Sequence, residues 1–122
     1  MDQIQTENFP KIQIDLQNSK FDDLFLEAID QSFLILLGTN SKQAFFSFLD
    51  KKYKLSKKDI PGRIGDFVAG LEKIFGPTAF LLELAIMKAL KQRVPSFNYL
   101  MERPNLSFEG YIESLKQHLE NF

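Results

Sequence analysis

The sequence holds no cysteine and no tryptophan, and its single histidine is His118. Without cysteine there is no disulfide framework, no thiolate nucleophile and no Cys-based metal site. That composition fits a reducing compartment. One histidine also leaves a metal site short of ligands, since such sites need several His, Cys or carboxylate groups converging. Glu113 and Glu120 are not spaced to share a helix face with it. No metal and no cofactor is expected. No nucleophile accompanies His118 in the sequence, so it reads as a flank of the last apolar stripe rather than a catalytic base. Long hydrophobic runs are missing too. The densest stretch, residues 79–90, contains Glu83 and Lys88 and is too short to cross a bilayer. Residues 1–6 are polar, with no basic region followed by an apolar run, so no secretory signal is expected and the expected location is the cytoplasm. Neither sign of charge dominates. Fifteen basic against 16 acidic residues give a formal net charge of −1, which argues against a strongly basic nucleic-acid binder. Gly62-Arg63-Ile64-Gly65 lacks both a preceding strand and a following Gly-Lys-Ser/Thr, so it reads as a loop and helix start rather than a phosphate cradle.

What is present is an apolar complement of 44% in 122 residues, enough for one domain with one core. Thirteen of those residues are phenylalanine, a large ring without a polar handle that belongs inside or against a partner. The expected fold is all-α: a compact bundle of about five helices over residues 19–122, preceded by an extended N-terminal arm, residues 1–18.

The arm is read from Phe9-Pro10, which disfavours helix, and from Ile12, Ile14 and Leu16 alternating with Lys11, Gln13 and Asp15, a period-two pattern. Ser19 caps a first helix with Asp22 and Asp23 in its first turn. Phe21, Leu24, Phe25, Ala28, Ile29 and Phe33 lie at helical spacing, residues 33–37 are apolar all round, and Gly38 ends the helix. Asn40 or Ser41 caps a second helix with Ala44, Phe45, Phe48, Leu49 and Tyr53 as its stripe. Ile60-Pro61-Gly62 breaks the chain. A third helix runs over about residues 64–75 and stops at Gly76, and Pro77 opens a fourth that ends near Arg93. That fourth helix, apolar almost all round, is expected at the buried centre. Ser107 caps the last helix, whose stripe is Phe108, Tyr111, Ile112, Leu115, Leu119 and Phe122.

Leu37-Gly38, Ala44-Phe45, Leu49, Ile60-Pro61, Phe67, Leu71, Ile74-Phe75-Gly76, Ala79, Glu83, Ile86 and Leu90 form an ordered set. In order and spacing it resembles a small helical domain of archaeal proteins, described as a signal-transduction output domain. The resemblance covers about residues 24–93. It implies an all-α regulatory or interaction module and carries no catalytic residues. The arm and the last helix lie outside it.

Three features are candidates for function. Lys51, Lys52, Lys54, Lys57 and Lys58 fall within eight residues and offer a phosphate-binding patch for nucleic acid. The plainer reading is a solvated helix end complementing the helix dipole. Glu83, inside the most apolar helix, is either a desolvated acid or the partner of a lysine such as Lys88. The aromatic excess points either to a Phe-rich core or to apolar docking, with Phe9, Ile12, Ile14, Leu16, Phe108 and Phe122 as the natural interface residues of arm and tail. A non-enzymatic regulatory module, docking on a partner protein or a second copy of itself, is the expected function. Nucleic-acid association through residues 51–58 is the alternative, and a small-molecule sensor with an enclosed Phe-lined pocket is a third.

Overall fold

A computed structural model describes the backbone of residues 2–97 and 107–120 and the side chains of residues 20–97 and 107–120. Four α-helices and two short 3-10 turns are present among them, and no strand. The helices are α1 (Asp2–Tyr53), α2 (Ile64–Phe75), α3 (Ala79–Arg93) and α4 (Phe108–Glu120); the 3-10 turns are Lys57–Gly62 and Gly76–Thr78.

The expected extended arm is a correction. The backbone is helical from Asp2 through the Phe9-Pro10 step and residues 12–16, so Ser19 does not start a helix. An isolated strand would leave its N–H and C=O groups without partners, whereas a helix pairs them within the chain. Five alternating residues are too few to outweigh that, even with the bond forfeited at Pro10.

The break expected at Gly38 is present, inside α1. Gly38 has φ 85° and ψ 169°, a backbone region open to essentially no residue but glycine. It turns residues 39–53 away from the line of residues 20–37, so the two stretches face a shared core. Before the corner, Phe21, Phe25, Ala28, Ile29 and Phe33 are buried; after it, Phe45 and Leu49 are. The corner is tied by Asp30, whose carboxylate pairs with Lys57 and lies 3.6 Å from Lys42 Nζ beyond the break. Lys57 also stands over the Phe46 ring, 5.4 Å from its centroid, and Phe46 stacks on Phe33 at 6.0 Å.

Helix α2 approaches α1 closely at Gly70, where a Cβ would collide with Leu49 Cδ2. Phe67 of α2 is the hub of the aromatic core. Its ring lies 6.1–6.4 Å from those of Phe25, Phe33, Phe45 and Phe108. Arg63 closes the C-terminus of α1, donating to the carbonyls of Tyr53 (2.8 Å) and Lys54 (2.9 Å). Asp66 holds the guanidinium in place, with Nη2 2.7 Å from Oδ2.

Helix α3 runs antiparallel to the first part of α1. Arg93 Nη2 donates to Gln31 Oε1 (2.7 Å), and Arg93 Nε lies 3.4 Å from Glu27 Oε1. Its buried stripe is Ala79, Leu82, Ile86, Ala89 and Leu90. Helix α4 starts as expected, with Ser107 Oγ accepting from the Gly110 N–H at 3.0 Å. Phe108, Tyr111, Ile112, Leu115 and Leu119 are its buried stripe. No helix of the described residues is long and apolar enough to cross a membrane.

Candidate docking surfaces

The five lysines of residues 51–58 do not act as one group. Lys51 and Lys52 lie in the last turn of α1, and Lys54 follows with a left-handed φ of 52°. These three and Lys58 are exposed. Lys57 is engaged by Asp30 and Phe46 and belongs to the corner. The other cations near them have structural duties as well: Lys42 faces Asp30, Arg63 caps α1, and Arg93 joins α3 to α1. Gly62-Arg63-Ile64-Gly65 is the end of a 3-10 turn and the start of α2, matching the loop reading.

His118 meets a hydroxyl that the sequence did not place near it. Ser96 Oγ, in the turn after α3, lies 3.2 Å from His118 Nε2. The imidazole also lies against Phe97, with ring centroids 5.3 Å apart. Lys91 Nζ donates to the carbonyls of Pro95 (3.0 Å) and Phe97 (2.7 Å) of that turn. The contact therefore anchors the last turns of α4 to a hydrogen-bonded loop. Among the described residues, no three His, Asp or Glu side chains are grouped so as to hold a metal ion.

Glu83 has no lysine partner among the described residues. Lys88 is five residues along α3, on another face, and the groups nearest in charge are Glu72 of α2 and Glu109 of α4. Burial first, then those two carboxylates, raise the Glu83 carboxyl above its ordinary range. All three glutamates line one open cleft of about 380 Å³ where α2, α3 and α4 meet. Val68, Phe80, Leu84, Met87 and Phe108 supply its apolar walls. Phe80 is 58% exposed.

Most of the phenylalanines are core. Phe21, Phe25, Phe33, Phe45, Phe67, Phe97 and Phe108 are buried, and Phe46 and Phe48 pack partly against them. Phe108 is thus a correction to the expected interface: only 6% exposed, it packs against Phe25 and Phe67, because the first turn of α4 points its stripe inward. The expected contacts of Phe9, Ile12, Ile14, Leu16 and Phe122 lie outside the residues whose side chains are described.

The exposed apolar surface lies elsewhere. Leu34, Ile35 and Leu36 (49%, 70% and 51% exposed) occupy the α1 stretch that is apolar all round, and Phe80 and Leu81 (58% each) open α3. The fourth sequence helix is therefore not wholly buried, and its first turn carries apolar side chains into solvent. Ile35 and Leu36 share a shallow pocket of about 170 Å³ with Ala85 and Ala89 of α3. Leu81 precedes Ala85 by one helical turn and continues that seam. Phe80 is rotated about 100° around α3 from Leu81, and so faces the glutamate cleft instead. One apolar surface thus wraps the first turn of α3, bordered by α1 on one side and by three carboxylates on the other.

No family model, curated protein or solved structure matches the chain.

Proposed function

We propose that this chain is a non-enzymatic protein-interaction module of a regulatory system, docking through the apolar surface around the first turn of α3. The observation that carries the reading is the exposure of Ile35, Leu36, Phe80 and Leu81 on a helical scaffold whose other rings are mostly buried. Contiguous exposed apolar side chains on a small domain mark docking sites, because water gains little from surrounding them. The regulatory setting is what the resemblance to the archaeal output domain adds. Photo-crosslinking tests the reading in cells. A benzophenone side chain at Ile35 or Leu81 captures a discrete adduct, either a second copy or one other protein, whereas the same probe at exposed Asp23 or Lys52 does not. Equal, diffuse capture at all four positions overturns it.

A second reading draws on Lys51, Lys52, Lys54 and Lys58, which are exposed and have no carboxylate partner among the described residues. Such a patch supports salt-sensitive nucleic-acid contact. Labelled duplex bound at about 50 mM salt and released at about 200 mM would favour it, and loss on replacing these four lysines by glutamine would locate it.

A further inference from the structure

The cleft between α2, α3 and α4 joins two features that oppose each other in an isolated protein. Its walls are apolar and aromatic, with Phe80 and Met87 from α3 and Phe108 from α4. Its rim carries Glu72, Glu83 and Glu109, one from each helix. None of the three has an ion-pair partner among the described residues. By contrast Asp30, an acid set beside apolar surface, is paired with Lys42 and Lys57. Like charges converging on a partly dehydrated cleft are unfavourable unless a cation completes them.

A divalent metal does not fit this arrangement. Hard cations need several oxygens closing to coordination distance, and the described carboxylates form no such group. The arrangement suits a cation with an apolar stem. The methylenes of lysine or arginine lie along apolar side chains while the charged end reaches a carboxylate. An exposed aromatic face such as Phe80 attracts the same cation. Amphipathic helices dock in apolar grooves by this combination of anchors and complementary charge.

We infer that this cleft receives a basic amphipathic segment of a partner protein, its apolar anchors seated on Phe80 and Met87 and a lysine or arginine set among Glu72, Glu83 and Glu109. The inference rests on the docking reading for its surface and adds the partner's chemistry. Charge complementarity selects the occupant: an acidic or neutral helix would bring no cation to the three carboxylates.

The probe is a fluorescein-labelled helical peptide of leucine and lysine, with leucines at i, i+3 and i+4, titrated with the full chain and followed by anisotropy. The control peptide carries glutamate in place of lysine. Binding of the lysine peptide, none of the glutamate peptide, and a loss of about tenfold or more in Glu72→Gln/Glu83→Gln are the expected results, because complementary charge sets specificity at such interfaces. Phe80→Ala weakens binding as well, while the charge-matched Asp23→Asn/Glu113→Gln leaves it unchanged. The glutamine substitutions keep size and shape, and melting curves of each variant verify folding. Unchanged lysine-peptide affinity in Glu72→Gln/Glu83→Gln, or no binding by the native chain, overturns the inference. Equal binding of both peptides, lost in Phe80→Ala, overturns the charge selection yet supports apolar docking at this face. Loss of seam-specific crosslinking at Ile35 and Leu81 would instead overturn the docking reading.

Discussion

Asp30 and Glu83 are both acids set into apolar helical stretches and only partly open to water, yet their surroundings differ in sign. Asp30 stands at the Gly38 corner with Lys57 bound to it and Lys42 at 3.6 Å. Glu83 stands at a cleft with two further carboxylates and no cation among the described residues. The aromatic rings beside them differ in parallel. Phe33, at the corner, is fully buried between Phe45, Phe46 and Phe67, whereas Phe80, at the cleft, is 58% exposed. In the first region the acid has cations of the chain beside it and the ring is covered by other rings. In the second neither holds among the described residues, and that difference separates a structural joint from a surface poised for something else.

Truncating the two rings gives the largest contrast. Phe33→Ala removes a buried ring from the centre of the core and should cost about 3–5 kcal/mol, a large part of a domain's ordinary stability of about 5–15 kcal/mol. Phe80→Ala removes a ring already facing water and should change stability by no more than about 0.5 kcal/mol. Urea denaturation of both variants measures the difference. Similar losses at the two positions would mean that the cleft is part of the core, and the contrast would collapse.

The corner was partly legible in the sequence, and the cleft hardly at all. Gly38, Gly76, Pro77 and Ser107 punctuate the helices where they stand because each acts through local backbone geometry, which neighbours in sequence determine. The stripe of α4 was legible for the same reason: helical period assigns a face. Period does not say what covers that face. Phe108 was read as a docking residue, yet its ring meets Phe25 and Phe67, 83 and 41 positions away. The apolar girdle of α3 was read as burial, yet Phe80 and Leu81 face outward. The short alternation at residues 12–16 looked like a strand only while helix continuity across Pro10 was out of sight. Lys57 looked like its neighbours until the fold brought it to Asp30, 27 residues earlier. Glu83 showed an acid in apolar company, but its company of Glu72 and Glu109 depends on three helices meeting. That no lysine among the described residues pairs with it could not be read from one helix.

Two glycines set the path of α1 and the approach of α2 to it, Gly38 at the corner and Gly70 against Leu49. Gly38→Ala should destabilise by about 1–3 kcal/mol through backbone strain alone, since a Cβ there has nothing within 4 Å to strike. Gly70→Ala should cost a comparable amount, about 1–3 kcal/mol, by the opposite mechanism of overpacking against buried Leu49. Leu49→Ala should cost less in the Gly70→Ala background than it does alone, because the two sites share the same space. No truncation around Gly38 should show such coupling to Gly38→Ala. Thermal melts of the single and double variants provide the test. Gly38→Ala with native stability would show that the Asp30 pairing, not the backbone of residue 38, sets the corner.

The smallest expected effect is also the one that bears most directly on the cleft. Burial and the neighbouring carboxylates raise Glu83 above its ordinary value of 4.5, so the folded chain holds that proton more tightly than the unfolded chain does. The stability linked to the group is therefore complete below about 4.5 and is lost as pH rises through the folded value. Near neutrality the ionised Glu83 works against folding, and Glu83→Gln should melt higher than the native chain. Because the group is largely solvated, the gain should be small, about 2 °C or less. Melting curves between pH 7 and pH 4 should converge as the native carboxyl takes up its proton. A Glu83→Gln variant that melts lower at pH 7 would mean that a cation of the chain already satisfies this carboxylate, and the cleft would then resemble the Asp30 corner. A variant that melts higher yet loses the lysine peptide would show the opposite: a carboxylate retained at a cost to stability, with its counter-charge supplied by the partner.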